Sequence, residues 1–145
     1  MSSKELVKYI QSAARGPLKN TPTPAAAIGT GDKTITIAQI LTQILEEDPE
    51  NPATWTMPTA ALAVAGVKDC TVGQALDFYL INSATTGANE IITVAAGSGG
   101  TLVGNAGVAA PNITEDEENS GSSHWRMRFT NVTASSEAYS LYRLA

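Results

Sequence analysis

The chain of 145 residues is long enough for one domain with a substantial core and too short for a second full one. Only 16% of its residues are charged, against roughly 25% in a typical soluble protein, so much of its surface must be small and neutral. A single cysteine, Cys70, excludes an intrachain disulfide, and no apolar run approaches the roughly 20 residues of a membrane span or has the pattern of a secretory leader. A protein made and used in soluble form, or assembled inside a cell, is therefore expected, with no membrane partner.

The net charge of −5 hides an asymmetry. Met1 to Lys33 carries five cations against two acids, a net +3, whereas Thr34 to Ala145 carries four cations against twelve acids, a net −8. A basic head on an acidic body points to contact with an acidic protein surface. Nucleic acid fits less well, because scattered cations without interleaved aromatics make no phosphate footprint, and none is expected as a partner.

Ser2 to Ala14 reads as a helix of about three turns: Ser2 or Ser3 can cap it, and Leu6, Tyr9, Ile10 and Ala13 fall on one stripe. Gly16-Pro17 stops it. So short a helix needs a surface for its stripe, and docking on its own body and on a partner both fit. Arg15 to Lys33, with Pro17, Pro22 and Pro24, keeps no period of 2 or 3.6 and reads as an extended tether. At about 3 Å per residue it would reach roughly 50 Å. Residues 1–33 are thus expected to form an arm whose partner-binding positions are Lys4, Leu6, Lys8, Tyr9, Ile10, Arg15 and Lys19.

The body is expected to span residues 34–145. Thr34-Ile-Thr-Ile opens it with strand alternation, and the Ala-Gln-Ile-Leu that follows passes equally for helix. Glu46 to Pro52 is an acidic, proline-punctuated loop, Thr54 to Met57 a short strand, and Thr59 to Gly66 a brief helix capped by Thr59. Gln74 to Asn82 is the most hydrophobic strand, with both faces expected to be covered. Glu90 to Ala96 and Thr101 to Gly104 are strands joined by the turn Gly97-Ser-Gly-Gly100, and Asn105 to Ala110 adds a further short one. Asn112 to Ser123 reads as an acidic surface loop. In the run from His124 to Val132, Trp125, Met127 and Phe129 alternate with Arg126, Arg128 and Thr130; Thr133 to Ser136 links it to Glu137–Leu144 as an antiparallel hairpin. Seven or eight short strands at turn-punctuated intervals predict an all-β fold, an antiparallel jelly-roll-like sandwich or barrel with the N-terminal helix and arm attached.

Chemistry is thinly represented. A Ser/His/Asp triad would need His124, the only histidine, at the head of a strand whose alternation serves burial of Trp125. A zinc site fails on ligand count with one cysteine and one histidine. The acidic runs Glu46–Glu50 and Glu115–Glu118 lack the alternating Asp/Asn and Gly pattern that turns oxygens toward a calcium ion, and read as solvated loops. Gly97–Gly100 lacks the following Lys-Ser/Thr of a phosphate loop. Trp55 and Trp125 sit in strand patterns and are assigned to the core, as is Cys70 to a buried or half-buried position. No catalytic residue, metal ligand or cofactor is assigned.

At Thr54–Ala61, Ala75–Asn82, Glu90–Gly97, Thr101–Gly104 and Phe129–Leu144 the chain resembles small β-rich virion structural proteins of tailed phages and large double-stranded DNA viruses of aquatic hosts. These are capsid decoration proteins, minor capsid proteins and fibre-tip domains. The resemblance spans Thr34 to Ala145, leaves out the arm, and rests on strand-and-turn patterns. It implies a non-enzymatic, jelly-roll-like protein of the virion, a homotrimer whose arm fastens to the major capsid protein or another virion protein. The alternative it leaves open is a receptor- or glycan-binding tip domain of a tail or fibre.

Overall fold

The closing hairpin is formed by β9 (Ser122–Asn131) and β10 (Ala138–Arg143), which pair antiparallel. Trp125, Met127 and Phe129 are fully buried while Arg126, Arg128 and Thr130 face solvent, as their alternation requires. The link turns through Ser135 in the left-handed region (φ 67°), with Asn131 Oδ1 accepting the Thr133 N–H at 2.9 Å.

The computed structural model describes residues 2, 23–24, 28–85, 90–108 and 121–145. In chain order the remaining elements are β1 (Thr23–Pro24), β2 (Lys33–Thr34), α1 (Ile37–Leu41), β3 (Gln43–Glu47), β4 (Ala53–Thr56), α2 (Ala60–Gly66), β5 (Ala75–Asn82), β6 (Ile92–Ala95), β7 (Gly100–Val103) and β8 (Gly107–Val108). They form a six-stranded sheet of order β1-β3-β5-β9-β10-β7 and a four-stranded sheet of order β2-β4-β6-β8. One hydrophobic cluster takes Leu45, Phe78, Leu80, Trp125, Phe129 and Leu141 from the first and Trp55, Ile92 and Val94 from the second. The two sheets share a single core, as expected of a β-rich body.

The antiparallel arrangement expected from the sequence is corrected. Five of the eight strand pairings among the described residues are parallel: β1 with β3, β3 with β5, β2 with β4, β4 with β6, and β7 with β10. The reason lies in the path of the chain. From β2 to β8 it crosses between the sheets at every step, so β2, β4 and β6, and likewise β3 and β5, are separated by one strand of the other sheet and run the same way; β8 reverses and pairs antiparallel with β6. The crossover that parallel pairing demands is supplied by a strand instead of a helix. A jelly roll needs antiparallel neighbours throughout; this body is a two-sheeted coil with the β9–β10 hairpin inserted between β5 and β7.

Three local features set the path. In α1, Thr36 and Gln39 cap each other reciprocally, and Gln43 (φ 70°) turns the chain from helix into β3, resolving the ambiguity of this segment. Thr59 caps α2, its hydroxyl accepting the Leu62 N–H. At Gly97, where the chain leaves one sheet for the other, an added side chain would overlap the carbonyl oxygens of Met57 and Pro58. The Tyr139 hydroxyl accepts the Gly97 N–H and donates to Pro58 O, each at 2.9 Å, in a position where burial raises its pKa.

The packed region starts upstream of Thr34. Ile28 belongs to the core, Gly29 N–H donates to Glu47 Oε2 at 2.7 Å, and β1 and β2 pair with body strands, so Thr23–Pro24 and the residues from Ile28 are not free tether. The expected helix at Ser2–Ala14 and the arm positions Lys4, Leu6, Lys8, Tyr9, Ile10, Arg15 and Lys19 lie outside the described residues, as does Glu115–Glu118.

Candidate functional site

Each strand of the six-stranded sheet buries one set of side chains and presents the other outward, and the register places the outward set in rows. Glu46 aligns with Ile81 and Ser122, and Ile44 with Tyr79 and His124. Asp77 aligns with Arg126, Tyr142 and Val103, and Ala75 with Arg128, Ser140 and Thr101. Tyr79 is 48% exposed, so the expectation that both faces of β5 are covered is corrected. Phe78 and Leu80 fill the core; Tyr79 does not.

At the centre of this outer face the rings of Tyr79 and His124 stack with centroids 4.7 Å apart and planes 15° from parallel. His124 Nε2 lies 3.2 Å from Asp77 Oδ2. Arg126 grips the same carboxylate with two prongs, Nε to Oδ1 and Nη2 to Oδ2, each 2.7 Å. The Arg126 hydrogen bonds hold the Asp77 carboxyl below its ordinary pKa, against a smaller opposing effect of burial, with His124 adding to the lowering. The carboxylate is thus committed to neighbours on its own sheet. His124 is likewise held by a ring and a carboxylate on an open face, which is the geometry of a fixed surface group.

Trp55 and Trp125 are fully buried, and the Trp125 indole N–H donates to Ser123 Oγ at 2.6 Å. Cys70 is half-buried and burial raises its thiol pKa. The acidic run is divided among tasks: Glu46 faces out from β3, Glu47 anchors Gly29, and Asp48 Oδ1 accepts the Glu50 N–H at 2.9 Å. Among the described residues no three of the His, Cys, Asp and Glu side chains gather as metal ligands would. A shallow groove of about 160 Å³ beside the outer face is lined by Ile40, Leu41, Gln43, Ala75, Leu76 and Asp77.

Sequence reasoning missed the pairing of Asp77 with Arg126 and the exposure of Tyr79. Its signal was present: one strand carries an acid at an alternate position, and another carries two arginines at alternate positions. Comparison with protein-family models, with curated proteins and with solved structures finds no match to this chain. The molecule is accordingly described by its own geometry, a two-sheet β protein with one aromatic and ionic outer face.

Proposed function

We propose that this chain is a non-enzymatic structural protein of a virion, a decoration, cement or minor capsid protein. Its β body forms a homotrimer, and its basic N-terminal arm binds the major capsid protein or another virion protein. The reading is supported by the resemblance of its strand-and-turn patterns and, above all, by one observation: the outer face of the six-stranded sheet offers exposed aromatic and aliphatic groups on rigid backbone, with its central charges tied to one another. Such a face is suited to docking, since aromatic residues and arginine are the groups enriched where proteins meet. The charge division between arm and body supports a separate attachment role for the arm.

The test removes Met1–Pro22, leaving β1 and Ile28 in place. The shortened chain is expected to fold and keep its assembly state while failing to enter particles, as read by mass spectrometry of purified virions. Incorporation equal to the full chain would overturn the arm's role, and absence of the full chain from purified virions would overturn the reading itself. A receptor- or glycan-binding tip is the second reading. It is favoured by the Tyr79–His124 stack, because exposed rings beside polar groups also hold sugars. A glycan array on which binding is lost in Tyr79→Ala would select it.

A further inference from the structure

We infer that β7 is the strand through which two copies of this chain pair edge to edge, antiparallel about a two-fold axis at Leu102. The inference goes beyond the functional reading and rests on neither the aromatic face nor the arm.

The edges of the two sheets are unequal. Among the described residues the six-stranded sheet ends in β1 and β7 and the four-stranded sheet in β2 and β8. β1 contains Pro24, which has no N–H to offer, β2 carries Lys33, and β2 and β8 are each two residues long. β7 has four residues, none charged and none proline, with Thr101 and Val103 exposed. It carries none of the guards of composition that keep a strand edge from pairing.

The hydrogen-bonding groups of β7 point outward in a definite pattern. Tyr139 N–H donates to Gly99 O at 3.2 Å, and Tyr139 to Tyr142 run beside Gly100 to Val103 in parallel. In such a ladder alternate residues face the neighbour, so Thr101 and Val103 turn their N–H and C=O toward β10, and Leu102 turns both of its groups to the free edge. Among the described residues β7 pairs with β10 alone. A donor and an acceptor offered side by side on an extended strand are met together by another extended strand.

The residues of β7 say which strand that is. Gly100-Thr-Leu-Val-Gly104 reads nearly the same in both directions. Antiparallel pairing of two copies about Leu102 sets the N–H and C=O of each Leu102 against those of the other. It also sets Thr101 beside Val103, and Gly100 beside Gly104, where no side chain obstructs the approach. The faces agree as well. Leu102 aligns with the fully buried Leu141 and Met127 but is only half-buried itself, and its counterpart covers it on the core side. Val103 aligns with Tyr142 on the outer side, is 43% exposed, and meets Thr101 of the other copy. With no charge on β7, copy meets copy without like-charge repulsion, and two six-stranded sheets run on as one.

The test has two parts, both on the full chain. In sedimentation the smallest species of the unaltered protein is expected to double in mass as concentration rises. Thr101→Lys/Val103→Lys changes two exposed side chains and places lysine opposite lysine. It is expected to weaken the doubling about tenfold or more while the melting curve stays close to that of the unaltered protein. The second part is disulfide trapping with oxidised glutathione in a Cys70→Ser background. Leu102→Cys is expected to link two chains, because opposed residues of a hydrogen-bonded pair stand about 5.5 Å apart at Cα. Thr101→Cys alone, roughly 8 Å from its own counterpart, is expected not to link, whereas Thr101→Cys mixed with Val103→Cys is expected to do so. Absence of doubling in the unaltered chain, doubling unchanged in the lysine variant, or linking of Leu102→Cys no faster than that of Thr101→Cys would each overturn the proposal. So would slow amide exchange at Leu102 in a dilute, undoubled sample, which would show the chain's own residues on this edge. The mass of the smallest species, one chain or three, separately tests the trimer of the functional reading.

Discussion

The two outer faces of this molecule are made by the same alternation and end in opposite chemistry. On the four-stranded sheet the register lines up Thr34 with Thr56 and Ala95, and Thr54 with Thr93 and Gly107, a small and neutral surface. On the six-stranded sheet the same positions carry Tyr79, His124, Arg126, Tyr142 and Val103. Inward, the two are alike: Trp55 on one and Trp125 on the other are both fully buried. Burial decides which half of each strand is apolar, and it leaves the other half free to differ. The low charge content belongs largely to the threonine face. The docking proposed above belongs to the other.

The most forceful way to break this comparison is to remove what both faces stand on. Trp125→Ala or Phe129→Ala is expected to cost about 3–5 kcal/mol in chemical denaturation, while Thr93→Ala on the threonine face stays within about 0.5 kcal/mol. Next comes the corner joining the sheets. Tyr139→Phe leaves the Gly97 N–H and the Pro58 carbonyl without their buried partner and is expected to cost about 1–3 kcal/mol.

Smaller changes sharpen the difference between the faces. Tyr79→Ala is expected to alter stability by less than about 1 kcal/mol yet abolish the proposed trimer, and Thr93→Ala to alter neither by a comparable amount. Smallest is the pH effect of Asp77. Its pKa is lowered in the folded state, so its contribution is present above its unfolded pKa of about 3.9 and is lost as pH falls through the lower folded value. Asp77→Asn is therefore expected to be less stable than the unaltered protein at neutral pH, with the gap closing in acid below the usual carboxylate range. A gap that stays constant through that range would contradict the pairing with Arg126.

What could be read from the residues follows from what alternation encodes. Period two in β9 identified Trp125, Met127 and Phe129 as core and Arg126 and Arg128 as surface, and the small polar link to β10 identified their hairpin. Thr59 and its following alanines identified α2. Alternation says which side of a strand is buried but not which strand lies beside it, so the parallel coil was invisible: β4 and β6 carry no residue that distinguishes a parallel neighbour from an antiparallel one. Tyr79 was misjudged for a related reason. An aromatic between Phe78 and Leu80 reads as a second covered face, and only the register against His124 reveals that no layer covers it. The pairing of Thr23–Pro24 and the packing of Ile28, both upstream of Thr34, were hidden by surrounding proline, alanine and glycine, which suit a tether and a packed edge alike.

The account depends on the aromatic face being the covered one when the protein assembles. Hydroxyl-radical footprinting of the full chain at low and high concentration tests this directly, with Leu62, 60% exposed on α2, as an internal reference. The account predicts that Tyr79 and Tyr142 become protected as concentration rises while Leu62 stays reactive. Unchanged reactivity of both tyrosines in an assembled sample would contradict it.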